Sequence, residues 1–268
     1  MTVGRLEGRV AIVTGSTQGL GEGIAVRLAK AGARVVLNGR SAEKGERVLA
    51  RIQDLGGEAV FVVADVAIKS EAQRLIAQAV EAFGRVDVLV NNAQAQSPYA
   101  HTTDPENDGY FDLALKSGLY GSLWTSQAAF PHMRAGGGGR VVNFASVNGV
   151  FGARYAAAYN AAKEAIQGLT RTLANEWGAY GITVNTVLPS GLSPSYEAFF
   201  KDDPQRAEAA AKAIPLRRHG RAEEDIGSAV LGLVSDSGRF ITGQALFIDG
   251  GQSLTGLPQL HDLGYAPH

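Results

Sequence analysis

Apolar and polar positions alternate in blocks along this chain. Short runs rich in Val and Ile read RVAIVT, RVVLN, AVFVVA, VDVLVNN, GRVVNFAS, GITVNTVL and QALFID, and longer stretches with apolar residues at helical spacing separate them. Strands that are apolar at nearly every position and are joined by helices are typical of a parallel sheet covered on both faces. The pattern therefore predicts a doubly wound α/β fold, with a mostly parallel seven-stranded sheet in a single domain over residues 1–268.

Three of the intervening stretches have clear ends. GLGEGIAVRLAKAG, EKGERVLARIQDLG and SEAQRLIAQAVEAFG each stop at or near glycine, a common signal at the C-terminus of a helix. The glycine-rich AGGGGR at residues 135–140 is predicted to be a turn rather than a phosphate loop, because no helix start follows it.

The regular alternation breaks at residues 189–221, which separate the sixth strand from the next helix by more than an ordinary loop. Ligands of doubly wound sheets bind beyond the carboxyl ends of the strands, so we expect this segment to cover a substrate. The alternative is a surface insertion. Its Tyr196, Phe199 and Phe200 could wall an apolar pocket or pack the segment against protein. The tail at residues 252–268 either frays into solvent or docks on a neighbouring subunit.

Composition narrows the classes of function. Hydrophobic residues make up 45% of the chain and charged residues 19%, with a net charge of -1, which is ordinary for a globular protein. A nucleic-acid interface would need a cationic excess. The chain has no cysteine, which excludes disulfides and thiolate sites, and its five histidines lack zinc-site spacing, so no metal is expected. No apolar run approaches a membrane span, and we expect a soluble cytoplasmic protein.

The first strand leads into a glycine-rich turn, TGSTQGLG, that opens a helix. Glycine lets the backbone turn tightly and brings its N–H groups close to phosphate oxygens at the positive end of the helix. A tight strand-to-helix turn is the simpler reading, but the position on the first strand–helix unit favours a dinucleotide site. Its expected contacts are Gly15, Ser16, Thr17, Gln18, Gly19, Leu20 and Gly21.

The second strand ends at Asn38, Gly39 and Arg40. An acidic residue here would accept hydrogen bonds from a ribose 2′-hydroxyl and would repel a 2′-phosphate. None of the three is acidic, and the Arg40 guanidinium suits a phosphate. We therefore predict NADP(H) over NAD(H). The alternative is that Arg40 is a solvated residue at a helix start.

A phenol, an ammonium and a hydroxyl recur together in the second half of the chain. Tyr159 and Lys163 lie four residues apart in YNAAK, and Ser146 ends the strand GRVVNFAS. On a helix this spacing puts both side chains on one face, where the ammonium would stabilise the phenolate. Each residue alone could have a structural role. Together, after a dinucleotide turn, they predict proton transfer at an alcohol or carbonyl oxygen, which Ser146 would bind.

With these motifs in this order, the chain resembles the short-chain dehydrogenase/reductase family over nearly its whole length. The matches are TGSTQGLG, ADV around Asp65, NNA at residues 91–93, Ser146, YNAAK, Pro189 and FIDGG. The resemblance implies a Rossmann-type fold and a homotetramer, or else a dimer, built on paired helices. It also implies that Asp65 and Val66 contact adenine and that Tyr159 and Lys163 hold the nicotinamide ribose. Further cofactor contacts implied are Ala64, Asn91, Asn92, Ala93, Pro189, Ser190 and Leu192.

Four positions depart from the pattern of that family. Gln94 stands where a glycine is usual, Ser190 replaces a second glycine, and Pro194 replaces a threonine between Ser193 and Ser195. The fourth catalytic position, usually an asparagine, falls on Gly118. A glycine would keep the backbone carbonyl as an acceptor in a proton relay, so we still expect activity.

These observations predict an NADP(H)-dependent oxidoreductase that interconverts a secondary alcohol and a ketone. Its partner would be a small alcohol or carbonyl compound, with no nucleic acid or membrane involved. Two alternatives stay open. One is a protein of the same fold that binds the cofactor but turns over weakly, as a sensor or assembly subunit. The other is an epimerase or dehydratase that recycles its cofactor.

Overall fold

The computed structural model describes residues 5–191, 201 and 203–255. Its seven strands form one parallel sheet, as predicted. Their order across the sheet is β3-β2-β1-β4-β5-β6-β7. The strands are β1 Val10–Val13, β2 Arg34–Gly39, β3 Ala59–Val63, β4 Val88–Asn91, β5 Gly139–Phe144, β6 Ile182–Pro189 and β7 Ala245–Ile248.

Helices connect the strands and cover both faces of the sheet. They are α1 Gly19–Lys30, α2 Ala42–Asp54, α3 Lys69–Phe83, α4 Asn107–Ala114, α5 Gly121–Ala135, α6 Val147–Phe151, α7 Ala157–Trp177, α8 Pro204–Ala213, α9 Ser228–Val234 and α10 Gln252–Thr255. A π-helical turn at Leu115–Tyr120 joins α4 to α5, and a second at Ala222–Gly227 precedes α9. As predicted, α3 ends at a left-handed glycine, Gly84, with φ 76°.

Alternate residues of β1 enter two hydrophobic layers. Ala11 and Val13 pack on one face with side chains of α1 and α9, whereas Val10 and Ile12 pack on the other with α3, α5 and α7. Since Ile24 in α1 is fully buried, it contributes roughly 1.5–3 kcal/mol relative to an exposed side chain. The two layers fix the carboxyl ends of the strands along one edge of the sheet.

The segment at residues 189–221 differs from the predicted insertion, because it contains the helix α8. Its two ends meet where Gly191 pairs with Gly220 in an isolated parallel bridge, and the Gly220 N–H donates to the Ser190 carbonyl over 2.9 Å. The segment therefore leaves β6 and returns to the same point. The predicted contacts of Leu192, Pro194, Tyr196, Phe199 and Phe200 lie outside the described residues, as do residues 256–268 of the tail.

The glycine-rich run between α5 and β5 has the predicted conformation. The AGGGGR run forms a turn before β5 in which Gly137 and Gly138 have positive φ, as expected. Of the helices that the structure describes, none has the length and apolar character needed to cross a membrane. Within the same residues no three metal-binding side chains come together.

Candidate active site

The turn between β1 and α1 has the backbone shape that its glycines predicted. Gly15 and Gly19 have φ of 62° and 59°, a left-handed conformation that favours glycine. A side chain on Gly21 would collide with the carbonyl oxygen of Gly15. Gln18 precedes α1 but its side chain does not cap the helix, so the first-turn N–H groups face the cleft without a side-chain acceptor from that position.

The loop after β4 is bonded to this turn. Asn92 Nδ2 donates to the carbonyl oxygens of Thr14 and Gly15 over 2.9 and 3.0 Å. The backbone N–H groups of Asn92 and Ala93 both donate to Thr14 Oγ1 over 3.0 Å. The loops that follow β1 and β4 are therefore held together, and they form one wall of the cleft.

The Asn91 side chain does not line the cleft, where the family resemblance places this residue. It is 4% exposed and its amide donates to Asn143 Oδ1 over 2.9 Å, while Thr125 Oγ1 donates to its oxygen over 2.7 Å. Asn91 is the last residue of β4, so its side chain points into the layer between the sheet and α5. Its role is to satisfy buried polar groups.

Asn38 and Ser16 also turn inward. Asn38 Nδ2 donates to the carbonyl oxygens of Val62 and Ala64 over 3.2 and 3.0 Å, and the Asn38 N–H donates to Ser16 Oγ over 2.9 Å. These bonds tie β2 to β3 and to the glycine turn. Arg40 instead lies at the outer rim of the cleft, where its side chain is 71% exposed and 3.6 Å from an Asp65 oxygen.

A cavity of about 340 Å³ follows the glycine turn and the ends of β2, β3 and β4. Fourteen of the predicted cofactor contacts line it: Gly15, Thr17, Gln18, Gly19, Leu20, Gly21, Asn38, Gly39, Arg40, Ala64, Asp65, Val66, Asn92 and Ala93. Ser16, Tyr159, Lys163, Pro189 and Ser190 do not. A larger cavity of about 420 Å³ lies at the opposite edge, where α1 and α2 end, and it contains no predicted site residue.

The three predicted catalytic groups come together at the neighbouring strand end. Ser146 follows β5, which pairs with β4, and its hydroxyl forms a hydrogen bond with the Tyr159 phenol. Lys163 lies one turn after Tyr159 on α7, with its nitrogen 5.4 Å from the Tyr159 ring centre. Lys163 is 3% exposed and donates to the Phe144 carbonyl over 2.8 Å. Strand β5 therefore anchors both Ser146 and Lys163.

The electrostatics of this group differ from the sequence argument. Burial raises the pKa of Tyr159 above its ordinary value of 10, and Tyr99 acts in the same direction, while the hydrogen bond from Ser146 opposes them. Burial also lowers the pKa of Lys163 from 10.5 to about 7. We expected Lys163 to lower the pKa of Tyr159, but burial is the largest influence on both groups, and it acts against the charged form of each. Tyr159 is a neutral acid at neutral pH.

Gly118 lies in the π-helical turn rather than in a regular helix. It is buried, and its carbonyl oxygen accepts a 2.7 Å hydrogen bond from Ser122 Oγ. The acceptor that we expected Gly118 to offer is therefore already engaged by Ser122 Oγ, and the Gly121 N–H donates to it as well. At the end of β6, Ser190 Oγ lies 3.2 Å from His219 Nδ1, and burial lowers the pKa of His219.

Several further residues lie at the cavity. Gln94, one of the departures from the family pattern, borders it, as do Leu113, Ser117 and Ala95, which the sequence did not single out. Tyr99 approaches Tyr159 closely enough to influence its pKa. The signal for Gln94, Ala95 and Tyr99 was their place in the loop that leaves the carboxyl end of β4. Leu113 and Ser117 are four residues apart and so share a helix face.

Comparison with known proteins extends this picture. A family model described as enoyl-(acyl carrier protein) reductase matches residues 15–253. A 12alpha-hydroxysteroid dehydrogenase of Clostridium sp. is 37% identical over 256 residues, which cover 93% of this chain and 98% of that protein. The residues that the family model matches include Gly15, Gly19, Gly21, Ser146, Tyr159 and Lys163.

Two solved structures have the same architecture. A gluconate 5-dehydrogenase from Burkholderia cenocepacia, solved with NADP and tartrate, is 33% identical, superposes with a TM-score of 0.84, and covers 93% of this chain and 97% of that chain. A short-chain type dehydrogenase/reductase from Mycobacterium ulcerans is 26% identical with a TM-score of 0.89, covering 97% and 94%. The chain is an oxidoreductase, and it belongs to the short-chain dehydrogenase/reductase family.

Proposed function

We propose that this protein interconverts a secondary alcohol and a ketone with NADP(H), and that Tyr159 transfers the proton. The observation that carries the proposal is the cluster of Ser146, Tyr159 and Lys163 at the end of β5, beside a glycine-walled cleft at the end of β1 and β4. An acid, its hydrogen-bond partner and a buried cation lie together where a substrate oxygen would meet them.

The residues of the cleft fit a dinucleotide. The first-turn N–H groups of α1 and the tight turn at Gly15 and Gly21 suit a pyrophosphate, since a Cβ at Gly21 would collide with the Gly15 carbonyl and displace the turn. Asp65 and Val66 would border the adenine, and Lys163 would hold a ribose hydroxyl. When bound, the nicotinamide supplies or accepts the hydride.

The chemistry at the substrate oxygen falls to three side chains. Because Tyr159 is neutral, it can donate its phenolic proton as a ketone is reduced, and it takes the proton back as an alcohol is oxidised. Ser146 Oγ donates a hydrogen bond to the same oxygen and polarises the carbonyl. A protonated Lys163 stabilises the Tyr159 phenolate that is left, since the two groups lie on one face of α7.

The preference for NADP(H) is supported by charge at the end of β2. Arg40 is largely exposed at the rim, and its neighbour Asn38 is neutral and committed to the interior. Among the described residues, the carboxylate of Asp65 is the only ion-pair partner of Arg40, at 3.6 Å, which leaves most of the guanidinium for a 2′-phosphate. The gluconate 5-dehydrogenase structure also contains NADP.

The proposal is tested by following NADPH oxidation at neutral pH with a panel of steroid ketones, keto sugar acids and cyclic ketones. We expect at least one ketone to be reduced to its alcohol with one NADPH consumed per turnover. A product with an unchanged oxidation state would indicate an epimerase or dehydratase. Failure of every ketone to oxidise NADPH, with the cofactor bound, would contradict the proposal.

A further inference from the structure

Gln94 and Gly118 occupy one space in the wall of the cleft. A Cβ placed on Gly118 would collide with Gln94 Oε1 and would lie 3.2 Å from Gln94 Cδ. A flexible side chain can often move away from such a contact. Gln94 is held, however, because its Nε2 donates to Ser117 Oγ, Ala95 O and Ala114 O over 3.1, 3.2 and 3.3 Å. The lack of a side chain at Gly118 therefore leaves the space that the large side chain of Gln94 occupies.

Side chains complete the hydrogen bonds of the π-helical turn. A π turn interrupts the regular i to i−4 ladder, and here side chains donate to carbonyl groups within it and just before it. Ser117 Oγ donates to the Leu113 carbonyl and Ser122 Oγ to the Gly118 carbonyl, each over 2.7 Å. These two bonds are local. Gln94 supplies the third, to the Ala114 carbonyl, from a different part of the chain, and so ties the turn to the loop after β4.

The turn that Gln94 holds packs against the helix that carries the proton-transfer groups. Ala114 forms a buried cluster with Ala158 and Ala162 of α7, and Leu115 packs on that cluster. Ala158 and Ala162 directly precede Tyr159 and Lys163 in the chain. A displacement of the π turn would therefore be transmitted to both groups, since close-packed interiors transmit strain.

The other end of the carboxamide is buried. Gln94 Oε1 accepts no hydrogen bond from any residue that the structure describes. An unpaired, buried amide oxygen lowers the stability of the fold. This cost indicates that Gln94 does more at this position than fill space. An apolar side chain of similar volume would avoid that loss but could not donate to Ala114.

We propose that Gln94 is a positioning residue for Tyr159 and Lys163, and that Gln94 and Gly118 form a reciprocal pair in which the loop side chain replaces one on the helix. The carboxamide fixes the π turn, and the π turn fixes α7 at the cleft. This role rests on the proposed function, but the reciprocal pairing does not.

A thermal-unfolding cycle tests the pairing without any turnover. Gly118→Asn should lower Tm by roughly 3–10 °C, because the new side chain collides with Gln94. In a Gln94→Gly background the same substitution should lower Tm by no more than about a third of that, since the space is then open. Gly109→Asn is the matched control: it lies on α4 with nothing within 4 Å of an added Cβ. Equal losses from Gly118→Asn in both backgrounds would overturn the pairing.

Kinetics test the positioning role. Gln94→Gly should reduce kcat by roughly 10- to 100-fold with little change in KM, and Gln94→Gly/Gly118→Asn should recover most of the loss. Gln94→Glu has the same shape, but as a carboxylate it cannot donate to Ala114, so its kcat relative to the parent should fall as pH rises. A purely space-filling role predicts parental kcat for Gln94→Glu at every pH, and that result would overturn the proposal.

If the parent protein lacks ketone reductase activity, the proposed function is wrong. The positioning role can still be tested, by a measurement that needs no turnover. The titration of Lys163, followed by NMR with carbon-labelled lysine, reports its surroundings directly. Loosening of the π turn in Gln94→Gly should admit water and raise the pKa of Lys163 by roughly half a unit or more. A pKa of Lys163 that is identical in the variant and the parent would refute the role.

Discussion

The Lys163 ammonium donates a 2.8 Å hydrogen bond to the carbonyl oxygen of Phe144, the last residue of β5. The same strand end presents Ser146 two residues later, and Ser146 bonds to Tyr159 on the helix that carries Lys163. One strand end therefore fixes both the acid and the cation. The arrangement places a charged group in a buried position, and this has measurable consequences.

The first consequence is for the pH dependence of reduction. Burial lowers the pKa of Lys163 to about 7, so its positive charge is lost as pH rises through that value. We expect kcat/KM for ketone reduction to fall above about pH 7, because the charge that stabilises the Tyr159 phenolate disappears. Lys163→Arg stays charged, and it should move the decline to higher pH while lowering the maximum rate. An identical pH profile in Lys163→Arg would show that another group titrates.

The second consequence is for stability. The pKa of Lys163 is lower in the folded state than its ordinary value of 10.5, so between about pH 7 and 10.5 the unfolded chain binds more protons. The free energy of unfolding contributed by Lys163 therefore rises with pH across that window, and the buried charge is most unfavourable below it. Lys163→Met should be more stable than the parent at pH 6, by up to a few kcal/mol, with a smaller gain at pH 10. Urea unfolding at both values measures this, and a pH-independent difference would contradict it.

Charge at the rim of the cleft should decide between the two nicotinamide cofactors. Arg40→Asp removes the exposed guanidinium and places a carboxylate where a 2′-phosphate would lie. We expect KM for NADPH to rise by at least about tenfold and KM for NADH to change much less. Competing steady-state kinetics with both cofactors check this. Efficient use of NADH by the parent, together with no effect of Arg40→Asp, would refute the preference.

The sequence predicted most accurately where backbone geometry and residue type are directly linked. Glycine is needed at Gly15 and Gly21 because the turn leaves no space for a side chain there. Tyr159 and Lys163 share one face of α7 because they lie four residues apart on a helix. The direction of a side chain at a strand end was harder to predict. Asn91 faces the interior because neighbouring polar groups require its amide, and no local pattern contains that information.

The π-helical turn was likewise out of reach of periodicity. Gln94 is 20 residues away from Ala114 in the chain, so the bond between them depends on tertiary structure. The balance of charges also required coordinates. The spacing of Tyr159 and Lys163 predicts attraction between them, but only the burial of both groups shows that desolvation dominates their pKa values.

The interior placement of Asn91 can itself be tested. Asn91→Ala would leave the buried Asn143 Oδ1 without its donor, whereas Thr125 Oγ1 would still donate to the Gly121 carbonyl, and one unsatisfied buried group costs about 1–3 kcal/mol. We expect a clear loss in the free energy of unfolding and little change in KM for the cofactor. Asn92→Ala is the contrasting variant, because Asn92 lines the cleft and should affect cofactor binding. A raised cofactor KM in Asn91→Ala at unchanged stability would contradict this assignment.

The central claim is that the Tyr159 phenol transfers the proton as hydride is transferred. The most direct test is a single-turnover measurement of NADPH oxidation, after mixing with a reactive ketone, in the parent and in Tyr159→Phe. Cofactor affinity, measured separately, should be within about threefold of the parent, because the phenyl ring keeps its packing. The account predicts that hydride transfer in Tyr159→Phe is slower by at least roughly 100-fold. Hydride transfer at a rate close to that of the parent would contradict it.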